Sequence, residues 1–166
     1  ATLCARAGAR SIRVKLPASH LKTWGYDIEV GDVKTYESLE MKDHIGFLIG
    51  SETLDKSIAP AGAQDWENES YIPKNLYQPT FGADGKINPE NYWASYVYNT
   101  VSTYKAWIHV WHVWNEPDWT PSYDVTKTWA TVAPKAADLP RFARLRRTRV
   151  ALRIEAVQQL GLARAG

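Results

Sequence analysis

Little in this chain can form a covalent cross-link or hold a soft metal. Its 166 residues include one cysteine, Cys4, and one methionine. A lone thiol excludes an intrachain disulfide framework and any zinc site built on several thiolates. No stretch approaches ~18 consecutive apolar residues, which excludes a transmembrane helix. There is no Gly-rich phosphate loop, no Gly-x-Ser-x-Gly elbow, no placeable Cys/His dyad, no internal repeat and no low-complexity tract. The first residues lack the apolar core of a signal peptide, as would a mature chain whose leader had been removed. Phenylalanine is scarce: three residues, against eight Trp and nine Tyr. Rings with an apolar face and a polar edge suit binding clefts as well as cores. With 45% hydrophobic and 23% charged residues, the chain has the composition of a globular domain, or of a piece of a larger one, and not of a disordered segment.

The net charge of +2 hides a split. All ten Lys lie between Lys15 and Lys135, and all ten Arg lie outside that range. Val14–Pro140 has ten Lys against 17 acids, a balance of −7; Arg141–Gly166 has seven Arg against Glu155 alone, a balance of +6. The aromatics also thin out, with only Phe142 after Trp129. The expected organisation is therefore a body over residues 1–139 and an Arg-rich helical tail over 140–166. Three readings of the tail stay open: a basic helix for an acidic partner, an ordinary solvated helix, or a segment foreign to the rest.

Along the body, strands and helices alternate. Ser11–Leu16 places Ile12, Val14 and Leu16 at a period of two, which predicts a short strand stopped by Pro17. Val33–Met41 suits a helical turn or a short helix. His44–Gly50 is an apolar run of the kind buried on both faces of a parallel sheet. Ser51 to about Asn88 is rich in Pro and Gly, but its Trp66, Tyr71, Tyr77 and Phe81 argue for an ordered loop. Asn88, Pro89 and Glu90 then read as cap, first residue and first-turn acid of a helix. Its stripe of Trp93, Val97, Thr100/Val101, Tyr104 and Trp107 predicts a core-facing side. Ile108–Trp114 is a strand by content, with Ile108, Val110, His112 and Trp114 expected on one face and His109, Trp111 and Val113 on the other. Pro117 should end it at Asn115 or Glu116. From Pro140 onward, spaced apolar residues permit an amphipathic helix. This order implies an α/β fold with a parallel sheet and crossover helices.

Strand ends are where sites form in parallel α/β folds. Asn115 and Glu116 stand at such an end, flanked by Trp111, Trp114 and Trp119, whose indole faces suit the C–H face of a sugar ring. Burial among indoles would raise the Glu116 pKa, as a general acid near neutral pH requires. The bland alternative is a carboxylate that caps a turn or pairs with a Lys. The run Val113-Trp114-Asn115-Glu116-Pro117-Asp118-Trp119 resembles the acid/base signature of retaining glycoside hydrolases with (β/α)8 barrels. It is most similar to the branch of β-xylosidases and α-L-iduronidases, glycoside hydrolase family 39. The resemblance implies that Glu116 is the general acid/base and that Asn115 bonds the sugar 2-hydroxyl. It implies a partial (β/α)8 TIM barrel, approximately strands two to four, with Ser11–Leu16 as strand two, His44–Gly50 as strand three and Ile108–Trp114 as strand four. Arg13 would match the strand-two arginine that supports the catalytic carboxylates. His112, where relatives often have Glu, is expected either in the barrel interior touching the substrate site or, as the more usual role, as a hydrogen-bonded core histidine.

The resemblance covers roughly residues 8–130. A barrel of this type takes ~250 residues, so the chain is expected to be a fragment that lacks the nucleophile strand. Asp124, Asp138 and Glu155 follow Trp119, none in a nucleophile context. The expected activity is hydrolysis of a β-linked oligo- or polysaccharide, with no cofactor and no metal. The expected location is extracellular, and the alternative function is a non-catalytic, lectin-like carbohydrate-binding protein in which Trp66, Tyr71, Tyr77, Trp111 and Trp119 are stacking platforms. Exposed sheet edges suggest self-association. A nucleic-acid partner for the Arg141–Arg153 stretch ranks third, because no base-reading arginines can be identified. Asn68-Glu69-Ser70 is an N-glycosylation sequon, which would fit a secreted protein.

Overall fold

The computed structural model describes residues 1–113, with the side chains at positions 66, 67 and 70 excepted. Three strands form one parallel sheet in sequential order: β1 (Arg13–Lys15), β2 (His44–Leu48) and β3 (Ile108–Val113). Helices α1 (Thr2–Arg6), α2 (Ala18–Trp24), α3 (Val30–Ser38) and α4 (Tyr92–Tyr104) accompany them, with 3₁₀ turns at Leu54–Lys56 and Asp65–Ser70. Helices α2 and α3 link β1 to β2; the long loop and α4 link β2 to β3.

All three strands fall within their expected segments; β1 and β2 are slightly shorter, and the expected end of β3 lies outside the described residues. Pairing nonetheless continues past the end of β1, where Leu16 N donates to Phe47 O and Ala18 N to Ile49 O. Pro17 then turns the chain directly into α2, a helix too short and too weakly patterned to be expected. The helix expected over Val33–Met41 begins three residues earlier and stops at Ser38. It stops because Glu40 and Asp43 take left-handed φ values of 60° and 58°, and Lys42 N is claimed by Arg10 O at 2.6 Å.

Helix α4 shows a competition between two asparagines. Asn88, the expected cap, is spent on the loop: its Nδ2 donates to Pro79 O and its Oδ1 accepts from Glu90 N. The cap is Asn91, whose Oδ1 accepts from Ala94 N at 2.9 Å while its Nδ2 donates to Leu76 O and Gln78 O. The helix thus starts after Asn91, and Pro89 lies outside it. Its buried face carries Trp93, Tyr96, Val97, Thr100, Val101 and Tyr104. The hydroxyl of Tyr96 accepts from Ile49 N and donates to Leu16 O, so one side chain ties α4 to the chain leaving both β1 and β2.

The face assignment expected for β3 is corrected by a bulge. His44 pairs with Ile108 but Ile45 pairs with Val110, which leaves His109 as an extra residue. Ile108 and Trp111 therefore share a face instead of opposing each other. Both lie against Gly46: a Cβ there would overlap the Trp111 ring and come within 3.0 Å of Ile108 Cγ2. Only a hydrogen at position 46 lets the indole lie across β2. Val14, Leu16, Leu48, Ile108 and Trp111 join residues of α2, α3 and α4 in one core. At the other end of β2, the fully buried His44 accepts from Ile12 N at Nδ1, and its Nε2 lies 3.7 Å from Glu37 Oε1.

Candidate functional site

The opposite face of the sheet carries the polar residues. Strand register sets Arg13 beside Ile45 and Val110, and Lys15 beside Phe47 and His112. Period-two alternation sends these side chains to the side opposite Val14, Gly46 and Trp111, although Phe47, 5% exposed, still joins the hydrophobic core. Phe47 is the centre of the group. The Arg13 guanidinium carbon lies 3.9 Å from its ring centroid, and the His112 ring centroid lies 5.2 Å away at 36°. A guanidinium at that distance over a ring is a cation–π contact. Burial, and then the positive charge of Arg13, push the His112 pKa below the ordinary imidazole value. Near neutral pH His112 is therefore uncharged and able both to accept and to donate a hydrogen bond.

The loop after β2 supplies the rim. Glu69, on the second 3₁₀ turn, pairs with Lys15 at 2.7 Å. Beside it, Asn68 Nδ2 donates to Ser51 O at 2.6 Å, and Ser51 Oγ donates to Tyr71 O. A second group anchors the start of the loop. Glu52 accepts from Tyr26 OH at 3.4 Å and from Lys56 Nζ at 2.7 Å, and Lys56 Nζ also lies 4.8 Å from the Tyr92 ring centroid. Burial first, and then the Glu52 charge, push the Tyr26 pKa up to about 12. The hydrogen bond to Glu52 raises the Lys56 pKa. Lys15 and Glu69 were not among the expected site residues. Lys15 was readable, since it alternates with Arg13 on the polar side of β1, whereas nothing local marks Glu69 as its partner.

Of the expected site residues, the structure brings Arg13 and His112 together on one face around Phe47. It removes Trp111 from that group. The indole is 1% exposed and packs over Gly46 on the far side of the sheet, opposite its neighbour His112 as strand alternation requires. Trp111 therefore belongs to the core and offers no platform. The same holds for Tyr71, 3% exposed, while Tyr77 is open at 56%. Tyr77 lines a small cleft of about 130 Å³ with Ile58, Ile72 and Pro73, and it is the one expected site residue among the lining residues. The backbone of Trp66 lies in the same 3₁₀ turn as Glu69. Trp114, Asn115, Glu116 and Trp119 lie outside the described residues, as do the expected end of β3 and the tail over 140–166. Among the described residues no three His, Cys, Asp or Glu side chains form a metal-binding group, and no helix is long and apolar enough to cross a membrane.

Compared with models of protein families, with curated proteins and with solved structures, the chain matches none.

Proposed function

We propose that this chain is part of a retaining glycoside hydrolase with a (β/α)8 barrel, acting on a β-linked oligo- or polysaccharide. Glu116 is its acid/base, and the nucleophile strand lies outside this sequence. The observation that carries the reading is the strand order. Three parallel strands follow one another across the sheet as an arc of such a barrel requires, and β3 runs to Val113, directly before Trp114-Asn115-Glu116 in the sequence. The polar face supports it too. Arg13, Lys15, Phe47 and His112 are then interior residues at the end of the barrel where substrate enters.

In this reading Glu116 first protonates the departing glycosidic oxygen and later removes a proton from the attacking water. Asn115 bonds the 2-hydroxyl, a contact that strengthens as the ring approaches the oxocarbenium-like transition state. His112, uncharged and held beside Arg13, offers a hydrogen bond to sugar or carboxyl without adding a second full charge. Arg13 adds a fixed positive charge that favours ionised carboxylates near it. The second carboxylate must stand ~5–5.5 Å from Glu116 for retention of configuration.

Hydrolysis of a panel of aryl β-glycosides by this chain, and by the chain extended with its native downstream sequence, tests the proposal. Glu116→Gln should lower kcat by at least ~100-fold, within the usual range for loss of general acid–base catalysis. An aryl substrate with a very good leaving group should be affected least at the glycosylation step, because it needs no proton. Turnover unchanged by Glu116→Gln would remove the residue from the mechanism.

A further inference from the structure

The sequon Asn68-Glu69-Ser70 has a structural setting that its sequence does not reveal. Asn68 is only 4% exposed. Its Nδ2, the atom that would carry a glycan, donates to the carbonyl of Ser51 at 2.6 Å in a buried hydrogen bond. Its Oδ1 is buried as well, with no hydrogen-bond partner among the described residues. The backbone around it is equally committed. Gly50 takes φ +79°, and a Cβ on Gly50 would stand 3.0 Å from Glu69 Cα, so residues 68–69 lie directly against the chain leaving β2. Ser51 Oγ reaches on to Tyr71 O, and Glu69 reaches across to Lys15. The middle of the sequon is thus the clasp that closes the loop after β2 over the sheet.

We infer that Asn68 is an acceptor only while the chain is open: glycan at Asn68 and closure of the 50–71 loop exclude each other. The donor would be a lipid-linked oligosaccharide diphosphate. Transfer forms a bond from Asn68 Nδ2 to C1 of the first sugar and breaks the bond from C1 to the diphosphate oxygen. One amide proton leaves with the lipid diphosphate. The product amide keeps one N–H, but a sugar on Nδ2 has no room where the side chain now lies, since protein interiors leave few voids larger than a water molecule. The glycosylated side chain must swing out. It then abandons Ser51 O and pulls residues 68–69 from Gly50. Glycan transfer at this position commits a chain to the unclosed state, and closure removes the acceptor.

Expression in a glycosylating secretory host tests this with three chains. One is the wild type. The second is the double variant Tyr96→Ala, Val97→Asp, which deletes the bonds from α4 to Leu16 and Ile49 and buries a charge, and so keeps the chain open. The third adds Ser70→Ala to that open variant, removing the acceptor signal while keeping Asn68. Occupancy is read by the mass shift on endoglycosidase treatment, in fractions separated by resistance to limited proteolysis. The open variant should carry glycan at an occupancy at least tenfold above the protease-resistant wild type, and Ser70→Ala should abolish it. Glycan on protease-resistant wild type would overturn the exclusion. An open variant that never acquires glycan would overturn the acceptor role.

Discussion

Gly46 is the position where a single atom decides the packing of the sheet. It faces Trp111 and Ile108 on the neighbouring strand, and both are 1% exposed. The added methyl of Gly46→Ala meets an indole that is fixed in place by the core around it. A well-packed interior resists even one extra carbon, and overpacking of this kind costs ~1–3 kcal/mol. Urea unfolding followed by tryptophan fluorescence should show a lowered midpoint with an unchanged slope. His44 is a second sensitive residue, for a different reason. Its Nδ1 is the acceptor for Ile12 N–H at the entrance to β1. His44→Leu keeps the volume but strands that donor, at a cost of ~1–3 kcal/mol. His44→Gln, which can offer an amide oxygen, should recover part of the loss. Equal losses in the two variants would show that volume, and not the hydrogen bond, is what matters at this position.

Among the elements, α4 gives the sharpest contrast between neighbours. Asn91→Ala removes the bond to Ala94 N and leaves the Leu76 and Gln78 carbonyls without their donor. Loss of a cap alone costs ~0.5–2 kcal/mol. Asn88→Ala removes bonds that are exposed and local to the loop, and should cost clearly less. Thermal unfolding of the two variants should rank them in that order, and the reverse ranking would return the cap to Asn88. The sequence pattern found this helix, its buried face and all three strands, because each presents apolar residues at the right period. It placed the cap wrongly because two asparagines three residues apart both satisfy the same local rule, and only burial against the loop separates them. It missed α2 because a seven-residue helix burying only Ala18 and Leu21 has no period to read. The bulge in β3 was equally hidden, since register belongs to a pair of strands. At the site, alternation along β1 was enough to put Arg13 on a polar side, whereas His112 was expected beside Ile108 and Val110, and the bulge separates it from Ile108. The partners that the loop brings in, Glu69 to Lys15 and Asn68 to Ser51, are tertiary facts with no local signature.

At the scale of the molecule, the hydroxyls of Tyr26, Tyr96 and Tyr104 join distant segments of the described residues, and they make stability depend on alkaline pH. Tyr26 holds Glu52, Tyr96 holds the chain leaving β1 and β2, and the Tyr104 hydroxyl accepts from Glu29 N at 3.0 Å. Burial is the largest cause of a raised pKa for all three, up to about 12 for Tyr26 and Tyr104 and well above its ordinary value for Tyr96. In the unfolded chain each would lose its proton near pH ~10. The folded state therefore binds more protons above that point, and stability must fall as pH rises. Below pH ~10 the contribution is fully present, and it is lost progressively as pH rises toward about 12. His112 shapes the other limb in the opposite sense. With its folded pKa depressed, stability is lost as pH falls through the unfolded imidazole value of ~6.5. Urea midpoints measured from pH ~5 to ~11 should therefore decline at both ends. Tyr26→Phe should flatten the alkaline decline, and His112→Asn the part of the acid decline near pH ~6.5, each leaving the other unchanged. An alkaline decline of the same steepness in Tyr26→Phe would mean that the phenol ionises as freely in the fold as in the open chain, and that burial beside Glu52 does not hold its proton.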